Sequence, residues 1–338
     1  MKNLPISSTR AGKGRALALL CLLTAGAALL SLCVGAVAVS PVELWQVLMG
    51  EEVQSPAHSI LFYSRLPRTF GCLLAGAALA CAGAVIQSVL ANPLAAPNII
   101  GVNAGAGLTV ALGCALVPAS AAAIPVMAFL GALAGVMLVL FLAQRTGAAR
   151  ITLVLAGVAV SSMFSAGIDA VVTFVPEALN GYSDFRIGGL DNLSMDRILP
   201  AACIILPALA GAFLLGGEMD VLMLGSDTAR SLGLNAQRLR LVLLALAAAM
   251  AGGAVSFCGL LGFVGLIVPH IVRRALGEES RVLLGGCALG GACFLTVCDV
   301  LARTLFAPYE LSVGIVLSLL GGPFFIWLLL RQRGGRSQ

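Results

Sequence analysis

Charged residues are scarce in this chain of 338 residues. Asp, Glu, Lys and Arg together make up 10% of it, whereas hydrophobic residues make up 60% and the mean hydropathy is +1.05. A soluble domain would carry roughly 25% charged residues. The composition therefore excludes a water-soluble fold and predicts an all-α integral membrane protein, with one polytopic domain over 1–338 in contact with the lipid bilayer.

Lysine is nearly absent, since only Lys2 and Lys13 occur. A P-loop needs a lysine beside the β- and γ-phosphates of its nucleotide, after a strand and a glycine-rich turn. Residues 9–14 contain Gly-Lys-Gly but lack that spacing and follow no predicted strand. The chain is thus not predicted to be an ATPase or another enzyme. Energy for work across the membrane must come from an ion gradient or from a separate ATPase subunit.

Metal-ligand spacing is also missing. The ten cysteines all fall in apolar runs, none forms a C-x-x-C pair, and none lies in a predicted outer loop where a disulfide could form. We interpret them as small side chains that fill the core. We expect neither a metal site nor a cofactor.

Apolar runs are frequent enough for about ten transmembrane helices joined by short loops, at about 20 residues per span. The runs lie near 16–39, 66–88, 98–117, 122–143, 151–175, 198–217, 239–257, 259–275, 282–302 and 311–330. The first run is longer than the roughly 7–15 apolar residues of a signal peptide. We therefore interpret it as an uncleaved first span.

Positive charge is distributed unevenly between the loops. With both termini inside, fifteen of the 20 Lys and Arg residues lie on the inner side, as the positive-inside rule requires. The five outer residues are Arg65, Arg68, Arg186, Arg197 and Arg303. This pattern predicts cytoplasmic termini. It also explains the net charge of +5 by topology, so no nucleic-acid partner is expected.

The segment Gly259–Arg273 is apolar yet interrupted by Gly262, Gly265 and Pro269. Lipid tolerates an interrupted backbone only where it packs against protein or lines a cavity, because unpaired peptide groups are costly in hydrocarbon. Interrupted apolar segments at corresponding positions of two halves are typical of transport pathways. The segment therefore predicts a cavity if the first half of the chain holds a counterpart.

Such a counterpart exists at an offset of 170 residues. Residues 68–85 match 238–255 at nine of 18 positions, and the segment around Pro97 then aligns with the segment around Pro269. The two matched spans are five crossings apart, so they run in opposite directions. An inverted repeat, typical of transporters, is predicted. Its arms lie near 65–175 and 236–330.

An ion-coupled secondary transporter is one interpretation. It requires ionisable groups within the membrane, which are rare and usually functional. The candidates are Asp169, His270 and Asp299. Asp299 precedes Arg303 by four residues, so a local ion pair explains it. Asp169 is the one unexplained carboxylate, which is weak support for a proton path. A membrane scaffold that transports nothing is a third interpretation.

A transporter driven by a separate ATPase requires a cytoplasmic docking element. The longest inner loop, 218–239, contains one. Ser226 and Asp227 suit the start of a helix, Gly233 suits its end, and Asn235 can cap the next helix. A short helix between two spans is a compact element for an ATPase to push. The alternative is that the same residues form a capped connection between two spans that binds no partner.

Several motifs occur in order over about four-fifths of the chain. They are Arg65-Leu-Pro-Arg68, Asn92-Pro-Leu-Ala95 with Pro97, Gly101-Val-Asn-Ala-Gly-Ala106, Ser231-Leu-Gly-Leu234, Gly262-Phe-Val-Gly-Leu-Ile-Val-Pro-His270, Asp299-Val-Leu-Ala-Arg303 and Gly322-Pro-Phe-Phe325. In these motifs the chain resembles the permeases of type II ABC importers for iron–siderophores, haem and cobalamin, the FecCD family.

The resemblance implies a set of partners and a location. The partners are two cytoplasmic ABC ATPase subunits, a periplasmic or lipid-anchored substrate-binding protein, and a second copy of the chain in a homodimer. The location is the inner (cytoplasmic) membrane. Alternating access would move a metal chelate from the binding protein into the cytoplasm. The substrate stays open among siderophore complexes, haem, cobalamin and an oxyanion.

The resemblance also assigns roles to residues. Arg65, Arg68 and Arg303 match family arginines that pair with acidic residues of the binding protein, and bidentate pairs would orient that partner. Snorkelling arginines at the membrane interface are the alternative. The residues that match the helix contacting the ATPase are Gly225, Ser226, Asp227, Ala229, Arg230, Leu232 and Gly233.

A cytoplasmic gate is implied at two places. Asn92 and Leu94 match the gate loop between the second and third spans. Before the fifth span, Ala148 and Ala149 replace the hydroxyl side chains that some family members have at the inner constriction. A wider or more apolar gate is therefore expected there.

Overall fold

The computed structural model describes residues 10–35, 40, 42, 45, 49, 57–117, 122–145, 150–191 and 193–334. None of these residues belongs to a β-strand, and the predicted all-α fold class is confirmed.

We label the principal helices in chain order. They are α1 (Arg10–Cys33), α2 (Leu66–Leu90), α3 (Val102–Leu116), α4 (Ala123–Arg145), α5 (Arg150–Phe174), α6 (Ala178–Ile187), α7 (Met195–Leu214), α8 (Gly216–Met223), α9 (Ser226–Ser231), α10 (Ala236–Cys258), α11 (Val264–Leu276), α12 (Ser280–Thr304) and α13 (Val313–Gly334). A short helix, Ala57–Ile60, and a π-helical stretch, Leu61–Arg65, lead into α2. A 3-10 turn, Pro97–Ile100, leads towards α3.

Each of the ten predicted apolar runs overlaps one of these helices. Within the described part of the chain, seven helices are long and apolar enough to span a bilayer: α1, α2 with its lead-in, α4, α5, α7, α10 and α12. Helix α3 has 15 residues and α11 has 13. The total number of crossings and the side of the membrane on which the termini lie stay predictions.

Helix α2 is the central element of the fold. It packs against α1, α7, α10, α11 and α12, and most of its side chains are buried. Small residues allow this close approach, as is usual between membrane helices. A Cβ atom on Gly76 would overlap the backbone carbonyl of Gly291 in α12, and one on Gly83 would overlap that of Gly265 in α11. The contact of α2 with its neighbours is therefore backbone against backbone.

The direction of the packed helices agrees with the predicted inversion. Gly71, near the start of α2, lies beside the ring of Phe257, near the end of α10. Helix α2 is thus antiparallel to α10, the helix that contains its matched segment. The division of the chain into two arms stays a prediction.

The interruption predicted in Gly259–Arg273 is present. Residues 259–263 are not helical, and α11 begins only at Val264. Gly259 has φ +70° and packs on the carbonyl of Phe185, which accepts a hydrogen bond from the backbone N–H of Leu260 at 3.0 Å. The end of α6 therefore holds the irregular segment in place and satisfies part of its backbone.

Candidate functional site

A cluster of charged side chains lies where the start of α2 meets the end of α12. The Nε atom of Arg68 donates to both carboxylate oxygens of Asp299, at 3.0 and 3.1 Å, and its Nη1 atom donates to Glu310 at 2.7 Å. Its Nη2 atom lies 3.1 Å from a carboxylate oxygen of Asp191. One buried guanidinium thus faces three carboxylates from three separate parts of the chain.

Two further arginines extend the cluster to α1. Arg303 lies 3.1 Å from Asp299 through Nε and donates through Nη2 to the hydroxyl of Ser31 at 2.8 Å. Arg65 donates through Nη1 to the carbonyls of Leu32 and Cys33 at 2.6 and 2.9 Å. Together the arginines fasten the end of α1 to α2 and α12. We call Arg65, Arg68, Asp191, Asp299, Arg303 and Glu310 the charge cluster.

The geometry of the charge cluster extends the local pairing predicted for Asp299. The i,i+4 pair with Arg303 is present, but Asp299 is fully buried and also pairs with Arg68. Asp299 is thus paired with two arginines. Asp169 lies on an exposed part of α5, and its role stays open.

The three arginines predicted to dock a binding protein lie together but are only 4–7% exposed. The accessible members of the cluster are the carboxylates of Asp191 and Glu310, with side chains 45% and 36% exposed. Burial raises the pKa of Asp191 above its ordinary value, and the Arg68 guanidinium opposes this in part. Each of the three arginines already has partners within this chain. Their role in docking a binding protein stays a prediction.

The predicted gate loop follows α2 directly. Ala91 has φ +46°, in the left-handed region, and ends the helix. The side-chain oxygen of Asn92 accepts the backbone N–H of Leu94 at 3.0 Å, which closes a tight turn. Gln87 donates its amide to the carbonyl of Gly265 at 3.2 Å and so ties the end of α2 to the start of α11. The other predicted gate residues, Ala148 and Ala149, lie outside the described residues.

A cavity of about 290 Å³ lies where the two interrupted segments meet. The first segment lines it with Leu94 and residues 96–99, and the second segment lines it with residues 261–263, 265 and 266. Asn103 and Phe325 complete the lining together with Leu79. The irregular backbone of both segments therefore lines a cavity, the one environment in which a membrane domain tolerates it besides tight packing.

The predicted docking helix between α8 and α10 is present as α9. It starts at Ser226 as expected, but Gly225 occupies the N-cap with φ +118°, and the Ser226 hydroxyl instead accepts a hydrogen bond from Arg240 at 2.7 Å. Gly233 ends it with φ +80°. Asn235 caps α10 by accepting the N–H of Arg238 at 3.0 Å, as predicted.

The surface of α9 is divided between one buried and several exposed side chains. Ala229 is fully buried, whereas Leu224 and Leu232, at its two flanks, are 69% and 62% exposed. Asp227 and Arg230 also point outward, 4.0 Å apart. This segment thus offers apolar and charged side chains together on one short helix outside the helical core.

Sequence reasoning missed Gln87, Phe263 and Gly321. Phe263 has φ +66°, and its ring lies directly on Gly321 of α13. The paired glycines at 321 and 322 were the available signal for a close contact, but the partner of such a contact cannot be read from the sequence.

The fold and the site define a polytopic helical membrane protein in which two interrupted segments meet at a cavity that Leu79 of the central helix α2 also lines. Within that class, the chain belongs to the FecCD transport family, whose family model matches residues 22–331.

Individual relatives agree with this assignment. The chain is 40% identical over 281 residues to the hemin transport system permease protein HmuU of Yersinia pestis, covering 81% of this chain and 84% of that protein. It is 36% identical over 311 residues to the Fe(3+) dicitrate transport system permease protein FecD of Escherichia coli K12, covering 91% and 96%. A solved metal-chelate type ABC transporter in an inward-facing conformation matches with a TM-score of 0.84 and 26% identity, covering 94% of this chain and 99% of that one.

These similarities confirm the family resemblance read from the motifs. They also confirm a multi-pass protein of the inner (cytoplasmic) membrane. The family consists of transporter permeases and not of enzymes.

Proposed function

We propose that this chain is the membrane-spanning subunit of an ATP-driven importer for a metal chelate. The names of its relatives specify hemin and Fe(3+) dicitrate, and a further relative in Bacillus subtilis, 34% identical over 319 residues, is named for iron(3+)-hydroxamate import. An iron–siderophore complex, iron citrate or haem is therefore the proposed cargo class, with cobalamin as a further member. The proposed assembly contains two copies of this chain, two cytoplasmic ATPase subunits and a substrate-binding protein.

The observation that carries the proposal is the exposure of α9. Exposed apolar side chains beside charged ones on a short structured element offer a partner protein contacts of both kinds. Leu224 and Leu232 are such residues, while Ala229 anchors the helix beneath them. Gly225 and Gly233 fix both ends in conformations that other residues rarely adopt. In the proposal, α9 is the defined element on which an ATPase pushes.

A route from α9 to the cavity exists within the described contacts. The hydrogen bond between Arg240 and Ser226 connects α9 to the beginning of α10. Helix α10 ends at Cys258, where the irregular segment 259–263 begins, and that segment continues into the wall of the cavity. A displacement of α9 would therefore reach the cavity through one rigid helix. In the proposed alternating access, the loop containing Asn92 and Leu94, with Ala148 and Ala149, opens or closes the cytoplasmic side.

The charge cluster has a different part in the proposal. Its arginines hold together the ends of α1, α2 and α12, the region predicted to face outward. Acidic side chains of a binding protein would reach Arg68 by replacing Asp191 or Glu310, the two accessible carboxylates. Arg65 and Arg303 would then maintain the shape of the docking surface. The ion-coupled alternative is disfavoured, since the buried carboxylate of Asp299 is already paired with two arginines.

The proposal is tested by co-purification of the chain with its ATPase. Leu232→Ser should reduce the recovered ATPase at least tenfold, because it removes an apolar contact from the proposed interface. Leu116→Ser is the matched control: Leu116 is 74% exposed but lies at the end of α3, remote in the chain from α9. Equal ATPase recovery with both variants would contradict the role of α9.

A further inference from the structure

Phe263 has a backbone conformation that a bulky side chain rarely adopts. Its φ and ψ are +66° and −26°, and it occupies the N-cap position of α11 without any side-chain cap bond. An aromatic residue in the left-handed region is a steric outlier. Such strain persists only where the surrounding structure enforces it, and it is concentrated at functional sites. Contacts with neighbouring elements must therefore hold Phe263 in this conformation.

Gly321 of α13 is the group that receives the Phe263 ring. A Cβ atom added to Gly321 would overlap three ring carbons of Phe263. The next residue, Gly322, would accept a Cβ atom with nothing within 4 Å. The fit is therefore specific to one glycine of the pair. The ring acts as a wedge between the start of α11 and α13.

The same residue lines the cavity between the two interrupted segments. Phe263 lines this cavity together with Leu94, Pro97 and Asn98, and Phe325 of α13 lies on the same cavity. The irregular segment 259–263 that carries the ring is attached to the end of α6 through Phe185. A relative movement of α13 therefore acts directly on the ring, while the bond from Leu260 to Phe185 holds the segment that carries it.

We propose that Phe263 is the gating side chain of this cavity: its ring closes the side towards α13, and the strained backbone favours withdrawal of the ring once α13 moves away. This inference rests on the proposed function to the extent that the cavity is part of the transport path. The wedge itself, Phe263 on Gly321, is independent of the identity of the cargo. The two parts are therefore tested by separate measurements.

The wedge is tested by hydrogen–deuterium exchange of the full chain in lipid nanodiscs. Gly321→Ala should accelerate exchange of the backbone amides of residues 262–266 at least tenfold, because the methyl group displaces the ring. Gly322→Ala is the matched control and should leave the exchange unchanged. Adding Phe263→Ala to Gly321→Ala should return the exchange to that of Phe263→Ala alone, since the smaller side chain removes the overlap with the methyl group. Equal exchange in the two glycine variants, or faster exchange in the double variant than in Phe263→Ala alone, would overturn the wedge.

The backbone strain is tested by comparing two substitutions at one position. Both Phe263→Gly and Phe263→Ala remove the ring, but only glycine adopts φ +66° without a steric penalty. The glycine variant should melt at a higher temperature than the alanine variant. An equal or lower melting temperature would show that the strain is absent.

Gating is tested in proteoliposomes loaded with carboxyfluorescein, a small anionic dye, in the absence of ATP. All variants carry Leu94→Gly, so that the loop at 92–94 does not close the path by itself. Adding Phe263→Ala should increase dye release at least tenfold over Leu94→Gly alone, whereas adding Phe263→Leu, which restores much of the volume, should release dye slowly. Equal release with and without Phe263→Ala would overturn the gating role. Failure of the proposed function is distinguishable from failure of the gating inference. In that case the wild-type complex would show no ATP-driven uptake, whatever the hydrogen–deuterium exchange of the variants.

Discussion

Neutralising Asp299 while preserving its shape is the sharpest test of the charge cluster. Asp299→Asn keeps the side-chain volume but removes the negative charge that Arg68 and Arg303 share. The carboxylate is fully buried, and its oxygens lie 3.0–3.1 Å from donors of both arginines. The substitution therefore leaves two buried cations with less compensation than before.

The expected loss follows from the contacts that remain. Removing one partner of a buried ion pair typically costs about 3–5 kcal/mol. Arg68 would keep Glu310 and Asp191, and Arg303 would keep Ser31. We therefore expect the lower end of that range, about 3 kcal/mol of unfolding free energy. Glu310→Gln is the control: Glu310 is 36% exposed, so its loss should cost about 1 kcal/mol or less.

The assay is equilibrium unfolding of the purified chain in mixed detergent micelles, followed by circular dichroism. Asp299→Asn, Glu310→Gln and the double variant are compared with wild type. Asp299→Asn within about 1 kcal/mol of wild type would refute the argument, because such a value is typical of an exposed pair. Equal losses for the two single variants would refute it as well, since burial would then have no effect.

Three further predictions concern single positions. Gly76→Ala should reduce the yield of folded protein severely, because its Cβ would overlap the backbone of Gly291, whereas Gly26→Ala, with nothing within 4 Å, should purify normally by gel filtration. Gly233→Ala should lower stability by about 1–2 kcal/mol, since it forces a left-handed conformation, as measured by unfolding; a neutral effect would show that the turn relaxes. Burial raises the folded-state pKa of Asp191, so the associated stabilisation is present in acid and is lost as pH rises through that pKa. Asp191→Asn should therefore flatten the dependence of the melting temperature on pH. An unchanged slope would contradict this prediction.

Local chemistry explains which parts of the site were predictable. The end of α9 at Gly233 and the N-cap of α10 at Asn235 were predicted correctly, because caps depend on neighbouring residues alone. The interruption at 259–263 was predictable from its glycines. The start of α9 shows where prediction from neighbouring residues fails. Ser226 does not cap the helix, and its hydroxyl instead accepts a hydrogen bond from Arg240.

Long-range contacts explain what the sequence did not reveal. Arg68 and Glu310 are separated by 242 residues, so their hydrogen bond follows from the packing of whole helices. The sequence grouped Arg65, Arg68 and Arg303, and the structure places all three together, buried among groups of this chain. Their contact with a partner stays a prediction. The left-handed Phe263 was equally hidden, because its conformation is imposed by neighbouring elements rather than by local propensity.

Transport by the reconstituted complex shows whether this chain works together with an ATPase. The chain is placed in proteoliposomes with its ATPase subunit, its binding protein is added outside, and uptake of iron(III) citrate or haemin is followed. The account predicts uptake that requires ATP on the ATPase side and disappears when the ATPase subunit is omitted. Uptake by this chain alone, driven by a proton gradient and indifferent to ATP, would contradict it.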